Sequence, residues 1–435
     1  MKLVNTMRES AFLRHNAIFF VGSIVVGGLN YAYYPILGRL LSPIAFGELQ
    51  VIVTLFLQFT IFLNVLSMVT VNIVVNHTNK TQAHRIIFEI EKVAAYVTAA
   101  VLLVTVVAGE WLRQALHFAS PLPFIMLGLA MLVSIPLTFR SAYARGQKRF
   151  AIASVSQFLG AMGKIIASSI LVLIGFGVVG AIFGIVVAQL IAFLYAARWA
   201  ARIGFRRPSD THYGTLPDLK VIRPELPYAG AVFSGLLAVT MLMSVDIIVV
   251  KYFFDAHTAG LYAGIATVAR IVFFLAAPIA QVLMSSVKIG HTARQNSQLL
   301  LRSLLLTLLA CSPVVVACCL APAYVVRGLM GVEYITFAPL LPLLTIAIFV
   351  LSVVNLVFMY FLALRKKMVT LVGIIGLAVS LSFILAEHYS VQAVVNSLLL
   401  GSIFTLFATG IYVLVSLKRG VRHAEQNNFN RYTNL

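Results

Sequence analysis

The chain is predicted to be an all-α polytopic membrane protein, with about twelve transmembrane helices in two pseudo-symmetric six-helix bundles. Three observations predict this. Apolar residues make up 61% of the 435 and charged residues only 10%, and the mean hydropathy is +1.00, far beyond what a soluble core requires. Apolar stretches long enough to cross about 30 Å of hydrocarbon, at 1.5 Å per helical residue, recur along the whole length. One membrane element also occurs twice.

The stretches lie near residues 16–38, 46–75, 93–109, 120–139, 150–174, 178–198, 226–252, 258–284, 299–320, 338–361, 368–386 and 391–416. The repeated element is Arg39-Leu-Leu-Ser-Pro-Ile-Ala-Phe-Gly47 after the first and Tyr252-Phe-Phe-Asp-Ala-His-Thr-Ala-Gly260 after the seventh. In each copy a helix ends, Ser42 or Asp255 can cap the next one, and a glycine follows five positions later. Pro43 suits a first helical position, where its missing N–H is not needed. The repeat divides the chain into an N-terminal bundle (1–200), a polar linker (201–225), a C-terminal bundle (226–417) and a tail (418–435). Both bundles start on the same side, so the repeat is parallel, related by an axis along the membrane normal. Rocking of two such halves gives alternating access.

With the N-terminus inside, 26 of the 32 Lys and Arg fall in cytoplasmic segments. This asymmetry predicts cytoplasmic termini and an inner-membrane location. The net charge of +19 is thus a topology signal spread over short loops, and nucleic-acid binding is excluded as a function. The first apolar span lacks a small-x-small cleavage site, so it is expected to remain as a helix. Cys311, Cys318 and Cys319 share the ninth span and act as small apolar residues. The histidines sit in loops or at helix ends, and no C-x-x-C or phosphate-loop motif occurs. No metal, cofactor or catalytic constellation is expected, and the protein is read as a transporter rather than an enzyme.

Polar residues inside the spans carry the functional reading. Lys164 lies about 16–21 Å from either surface, beyond the reach of snorkelling. Burial there costs at least about 2.5–3.5 kcal/mol unless water or an anion meets it. Arg270 is at similar depth in the eighth span, and Asp246 in the seventh is within reach of it. A structural ion pair and a substrate-facing arginine are both open, and compatible if the pair breaks during a cycle. Arg39 ends the first helix, where it is expected to gate the outer face or to pair with Glu48. Asn30, Asn355 and other span amides, with Tyr31, Tyr33 and Tyr34, are candidates to line a wet cavity that hydrogen-bonds sugars. Pro136, Pro278, Pro313 and Pro342 mark possible bends. Two mid-membrane cations against one carboxylate suit an anionic substrate such as a phosphate or diphosphate headgroup, whereas an exporter of organic cations needs the reverse.

The run Asn16-Ala-Ile-Phe-Phe-Val-Gly-Ser-Ile, Asn30, the segment Gly38 to Gly47, the turn Arg145-Gly-Gln-Lys-Arg-Phe150 and the segment Asp246 to Tyr262 running on to Arg270 together resemble polysaccharide-biosynthesis flippases of the Wzx type. These belong to the multidrug/oligosaccharidyl-lipid/polysaccharide (MOP) exporter superfamily, whose MATE-like fold has two bundles. The resemblance implies movement of an undecaprenyl-diphosphate-linked oligosaccharide from the cytoplasmic to the outer leaflet, for polysaccharide or O-antigen-type assembly. It implies headgroup contacts at Lys164 and Arg270, and a glycan polymerase and glycosyltransferases as partners. Peptidoglycan-precursor flippases of the superfamily usually carry two further C-terminal helices. Its drug exporters carry acidic cavity residues that the first helix here lacks. A multidrug or small-molecule antiporter on the same fold, and a membrane scaffold for glycan-synthesis enzymes, are the alternatives.

Overall fold

The computed structural model describes residues 22, 25–77, 79–206, 226–287, 293–364, 366 and 368–433. The Asn16 to Ile24 run, apart from Gly22, and most of the expected linker lie outside them. The first-half helices are α1 (25–40), α2 (Pro43–Asn76), α3 (Lys80–Val107), α4 (Gly109–Ala115), α5 (Leu122–Gly146), α6 (Phe150–Leu171) and α7 (Gly177–Arg202). Then follow α8 (Leu226–Leu242), α9 (Val245–Phe253), α10 (Ala256–Ala269), α11 (Ile271–Ser286), α12 (Ala293–Leu320), α13 (Pro322–Leu329), α14 (Leu341–Ala363), α15 (Met368–Ala386) and α16 (Val391–Thr433).

Among the described residues, eight helices are long and apolar enough to cross a membrane, or ten when each of two bent pairs counts as one. One of the eight, Phe150–Arg202, is a hairpin. Ser156 Oγ donates to the Ala192 carbonyl and Ser168 Oγ to that of Ala181, an antiparallel register with α6 folded back on α7. Gly184 permits the approach, since a Cβ there would collide with Ser168. The reversal uses Gly175 and Gly177, with φ of 104° and 53°, values that favour glycine. With this hairpin counted as two spans and α1 included, the number is about twelve.

Both repeat caps form. Ser42 Oγ accepts from Ala45 N–H at 3.4 Å with Pro43 opening α2. Asp255 Oδ1 accepts from His257 and Thr258 N–H at 3.0 and 3.1 Å, which starts α10.

Two bends fall where the sequence holds no proline. Pro342 stands in the first turn of α14, after a 3₁₀ stretch Val332–Leu340, and kinks nothing. The two sharp bends are 52° between α8 and α9 and 42° between α10 and α11. At the first, Met243 and Ser244 donate to carbonyls three residues back, while Ser244 Oγ takes the Thr240 carbonyl. Hydroxyl back-bonding of this kind loosens and bends a helix.

The chain forms two compact units. Unit 1 is 1–233, 247–264 and 327–335; unit 2 is 234–246, 265–326 and 336–435. In unit 1 an apolar core of Ile73, Ile87, Phe139 and Phe205 joins α2, α3 and α5. Beside it the Arg140 guanidinium binds Glu91 and lies over the rings of Phe88, Phe193 and Phe205, 5.3–6.0 Å from their centroids. In unit 2, Val239, Leu283, Leu356 and Phe358 form the core. Phe358 covers Gly373, and Gly376 and Gly401 let α15 and α16 approach Thr405 and Ser380. Lipid offers no hydrophobic drive between helices, so such small-residue contacts supply the packing.

Candidate functional site

The expected site residues fall into three groups, and the first is in unit 1. Lys164 Nζ donates to Asn30 Oδ1 at 2.9 Å, which unites two residues that the sequence singled out separately. The ammonium stands 4.4 Å from the Tyr33 ring centroid and 5.9 Å from that of Tyr34. Among the described residues no carboxylate reaches it, so an amide oxygen and two π faces hold the charge without neutralising it. Tyr33 is fully buried, with its hydroxyl donating to the Ala181 carbonyl at 3.4 Å. Tyr33 and Tyr34 are therefore walls of the lysine cage and not an exposed sugar platform.

The second group is in unit 2, at the helix bends. Arg270 Nη2 donates to Asp246 Oδ1 at 2.6 Å, and Arg270 Nε to the Met243 carbonyl at 2.9 Å. The arginine, between α10 and α11, thus holds the break between α8 and α9, with Asp246 1% exposed. Its other terminal nitrogen, Nη1, is buried without a hydrogen-bond partner. This leaves one donor of the fork for another acceptor. Asn355, on α14, is buried in the same unit.

The third group is at the repeat element. The expected Arg39 to Glu48 ion pair does not form. Arg39 donates to the carbonyls of Gly328 and Leu329, the unsatisfied C-terminal groups of α13. Glu48 is buried, and its Oε1 accepts from Ala119 N–H at 2.8 Å. The corner at Leu41 and Ser42 turns the two side chains to different partners. The two repeat glycines meet: a Cβ on Gly47 would lie 2.8 Å from Gly260 Cα, and one on Gly260 would strike the Pro43 carbonyl. Lys251, near the end of α9, is buried. A lysine two residues from a helix end is expected to reach water, so only the fold reveals its burial. Among the described residues, no group of three or more His, Cys, Asp or Glu could hold a metal.

Several solved structures share the fold. An inward-facing MATE-family multidrug transporter of the MOP superfamily superposes with a TM-score of 0.74 at 13% identity, covering 93% of this chain and 99% of that one. The lipid II flippase MurJ, in an inward closed conformation, gives 0.69 at 14% identity and 91% and 87% coverage. A MOP-superfamily transporter from Pyrococcus furiosus, described as having a binding pocket of reversed polarity, gives 0.53 at 15% identity and 94% and 96% coverage. No curated protein sequence matches significantly. The polysaccharide biosynthesis protein family matches residues 12–284. The fold is thus that of MOP-superfamily transporters and flippases, and the chain belongs to the polysaccharide biosynthesis protein family.

Proposed function

We propose that this multi-pass membrane protein moves a polyprenyl-diphosphate-linked oligosaccharide from the cytoplasmic to the outer leaflet of the inner membrane, as Wzx-type flippases do. The observation that carries the reading is Lys164, a deep cation whose neighbours, Asn30, Tyr33 and Tyr34, leave its charge uncompensated. Lys164 and Arg270 are the headgroup contacts, Asn30 and Asn355 further polar contacts, Asp246 the partner that Arg270 exchanges, and Arg39 and Glu48 elements of the outer gate. A glycan with its diphosphate cannot enter hydrocarbon unaided, because its polar groups lose water without replacement. The protein supplies amides and cations while the lipid tail stays in the bilayer. Outward movement of an anion across an inside-negative membrane gains about 2.3 kcal/mol per charge per 100 mV. The potential by itself thus biases export. The MurJ likeness supports a lipid-linked saccharide as the substrate class.

Deletion of the gene and complementation with wild type and Lys164→Ala tests this in cells. The expected result is loss of surface glycan with accumulation of its lipid-linked precursor, restored by wild type and not by the variant. Intact glycan with new sensitivity to cationic drugs points instead to the antiporter.

A further inference from the structure

Lys251 stands apart from the other deep cations. Lys164 has Asn30, Arg270 has Asp246 and Arg140 has Glu91. Lys251 is 1% exposed, and its Nζ has no hydrogen-bond partner. The ammonium lies 5.5 Å from the Phe118 ring centroid, while His117 Nδ1 is 3.2 Å from the Lys251 carbonyl. Glu48 and Asp255 act on it electrostatically. Both carboxylates are already engaged by backbone N–H groups, Glu48 by Ala119 and Asp255 by His257 and Thr258.

Near Lys251 lies a set of contacts between first-half and second-half chain within unit 1: Glu48, which acts on it, adjoins Gly47, and Asp255 caps the helix that carries Gly260. Gly47 crosses Gly260 backbone to backbone, the Tyr334 ring fills the space over Gly264, and Arg39 ties to Gly328 and Leu329. The basic-residue distribution assigns this end to the outer face. Parting of these contacts, beside a lysine that is buried as they stand, is the step that we infer to wet the ammonium. Three unused donors then face whatever occupies the path.

We propose that Lys251 is a release-side phosphate contact, stored dry behind the Gly47 and Gly260 crossing and exposed to the departing anionic headgroup when that crossing parts. This rests on the flippase reading above. The ligand class is a phosphate or diphosphate monoanion or dianion. The two flanking carboxylates make the site weaker than the Lys164 cage, and weak binding at the exit favours departure.

The test uses oriented proteoliposomes with the outer face outward, the full chain, and inorganic pyrophosphate as the exterior probe. Export of a labelled lipid-diphosphate saccharide is compared for wild type, Lys251→Met and Lys251→Arg. Methionine keeps the apolar stem against Phe118 and removes the charge. Loss of a charge-assisted contact predicts export slowed about tenfold or more in Lys251→Met, with Lys251→Arg near wild type. Exterior pyrophosphate is expected to inhibit wild type and not Lys251→Met. Wild-type rates in Lys251→Met, or inhibition of both proteins alike, overturn the proposal.

Independently of transport, modification of native Lys251 by an impermeant amine reagent is followed by peptide mass spectrometry. Protection by pyrophosphate is expected, and lack of protection overturns the site even where export is intact. If wild type moves no saccharide while pyrophosphate still protects Lys251, the flippase reading fails and a free-phosphate site remains. Protection without any effect of Lys251→Met on saccharide export likewise assigns the site to free phosphate.

Discussion

The cage around Lys164 sets up a direct test of whether that lysine is functional or structural. Asn30 and the tyrosine faces position the ammonium without neutralising it, so Lys164→Ala is expected to lower transport at least about tenfold at normal expression. Lys164→Arg should retain part of it, and equal activity of both variants with wild type makes the residue incidental. For Asp246 and Arg270, removing one partner of a buried pair destabilises by about 3–5 kcal/mol. Thermal unfolding of Asp246→Asn, Arg270→Gln and the charge swap measures this; the swap is expected to restore stability. If the swap stays inactive while stable, Arg270 contacts substrate directly. At the cap of α10, hydrogen bonds from Thr258 hold the Asp255 carboxyl below its ordinary value. Its stabilisation is therefore full above the ordinary carboxylate pKa and is lost as pH falls through the lowered folded value. Asp255→Ala should cost about 1 kcal/mol near neutrality, and the gap from wild type should narrow in acid. The charged residues deep in apolar spans were legible in the sequence because hydrocarbon gives them no other reason to be there. Their partners were partly legible. Asp246 and Arg270 lie in neighbouring spans within an arginine's reach of each other, whereas Asn30 and Lys164 are 134 positions apart and only the fold joins them.

Among the elements, the repeated corner was read correctly from its caps, because Ser42, Pro43 and Asp255 act within a few residues of themselves. The meeting of its two copies was not legible, since Gly47 and Gly260 reveal a crossing only when both are placed. Gly47→Ala and Gly260→Ala should each open that crossing. Overpacking of this kind costs about 1–3 kcal/mol. An impermeant thiol reagent should then label Lys251→Cys faster, in a background lacking Cys311, Cys318 and Cys319; unchanged labelling shows that the crossing seals nothing. The bends were the least legible elements. Prolines suggested four positions, yet the helices break at Ser244 and Arg270, where a serine back-bond and a long-range arginine bond to Met243 redirect the backbone. Arg39 and Glu48 show the same limit, since nearness in sequence proposed a pair that the corner geometry refuses.

At the scale of the whole molecule, composition and the length of the apolar stretches were enough for the membrane-helical fold class, because membrane solvation constrains every span alike. Substrate chemistry needs more than the fold, which MATE transporters and MurJ share with this chain at 13–14% identity. What this chain itself adds is its deep charges: Lys164 has no neutralising carboxylate within reach among the described residues, and Arg270 Nη1 is buried without a hydrogen-bond partner. Under the proposed function, transport should respond to membrane voltage. A valinomycin-imposed inside-negative potential should accelerate outward movement, and an inside-positive one should slow it. The most direct measurement of the central claim is transbilayer movement of a labelled lipid-diphosphate-linked saccharide in proteoliposomes of the purified protein, set beside the Lys164→Ala variant. Protein-dependent movement that fails in the variant is the result predicted. Absence of saccharide movement, with uptake of a cationic dye by the same vesicles, would contradict the account.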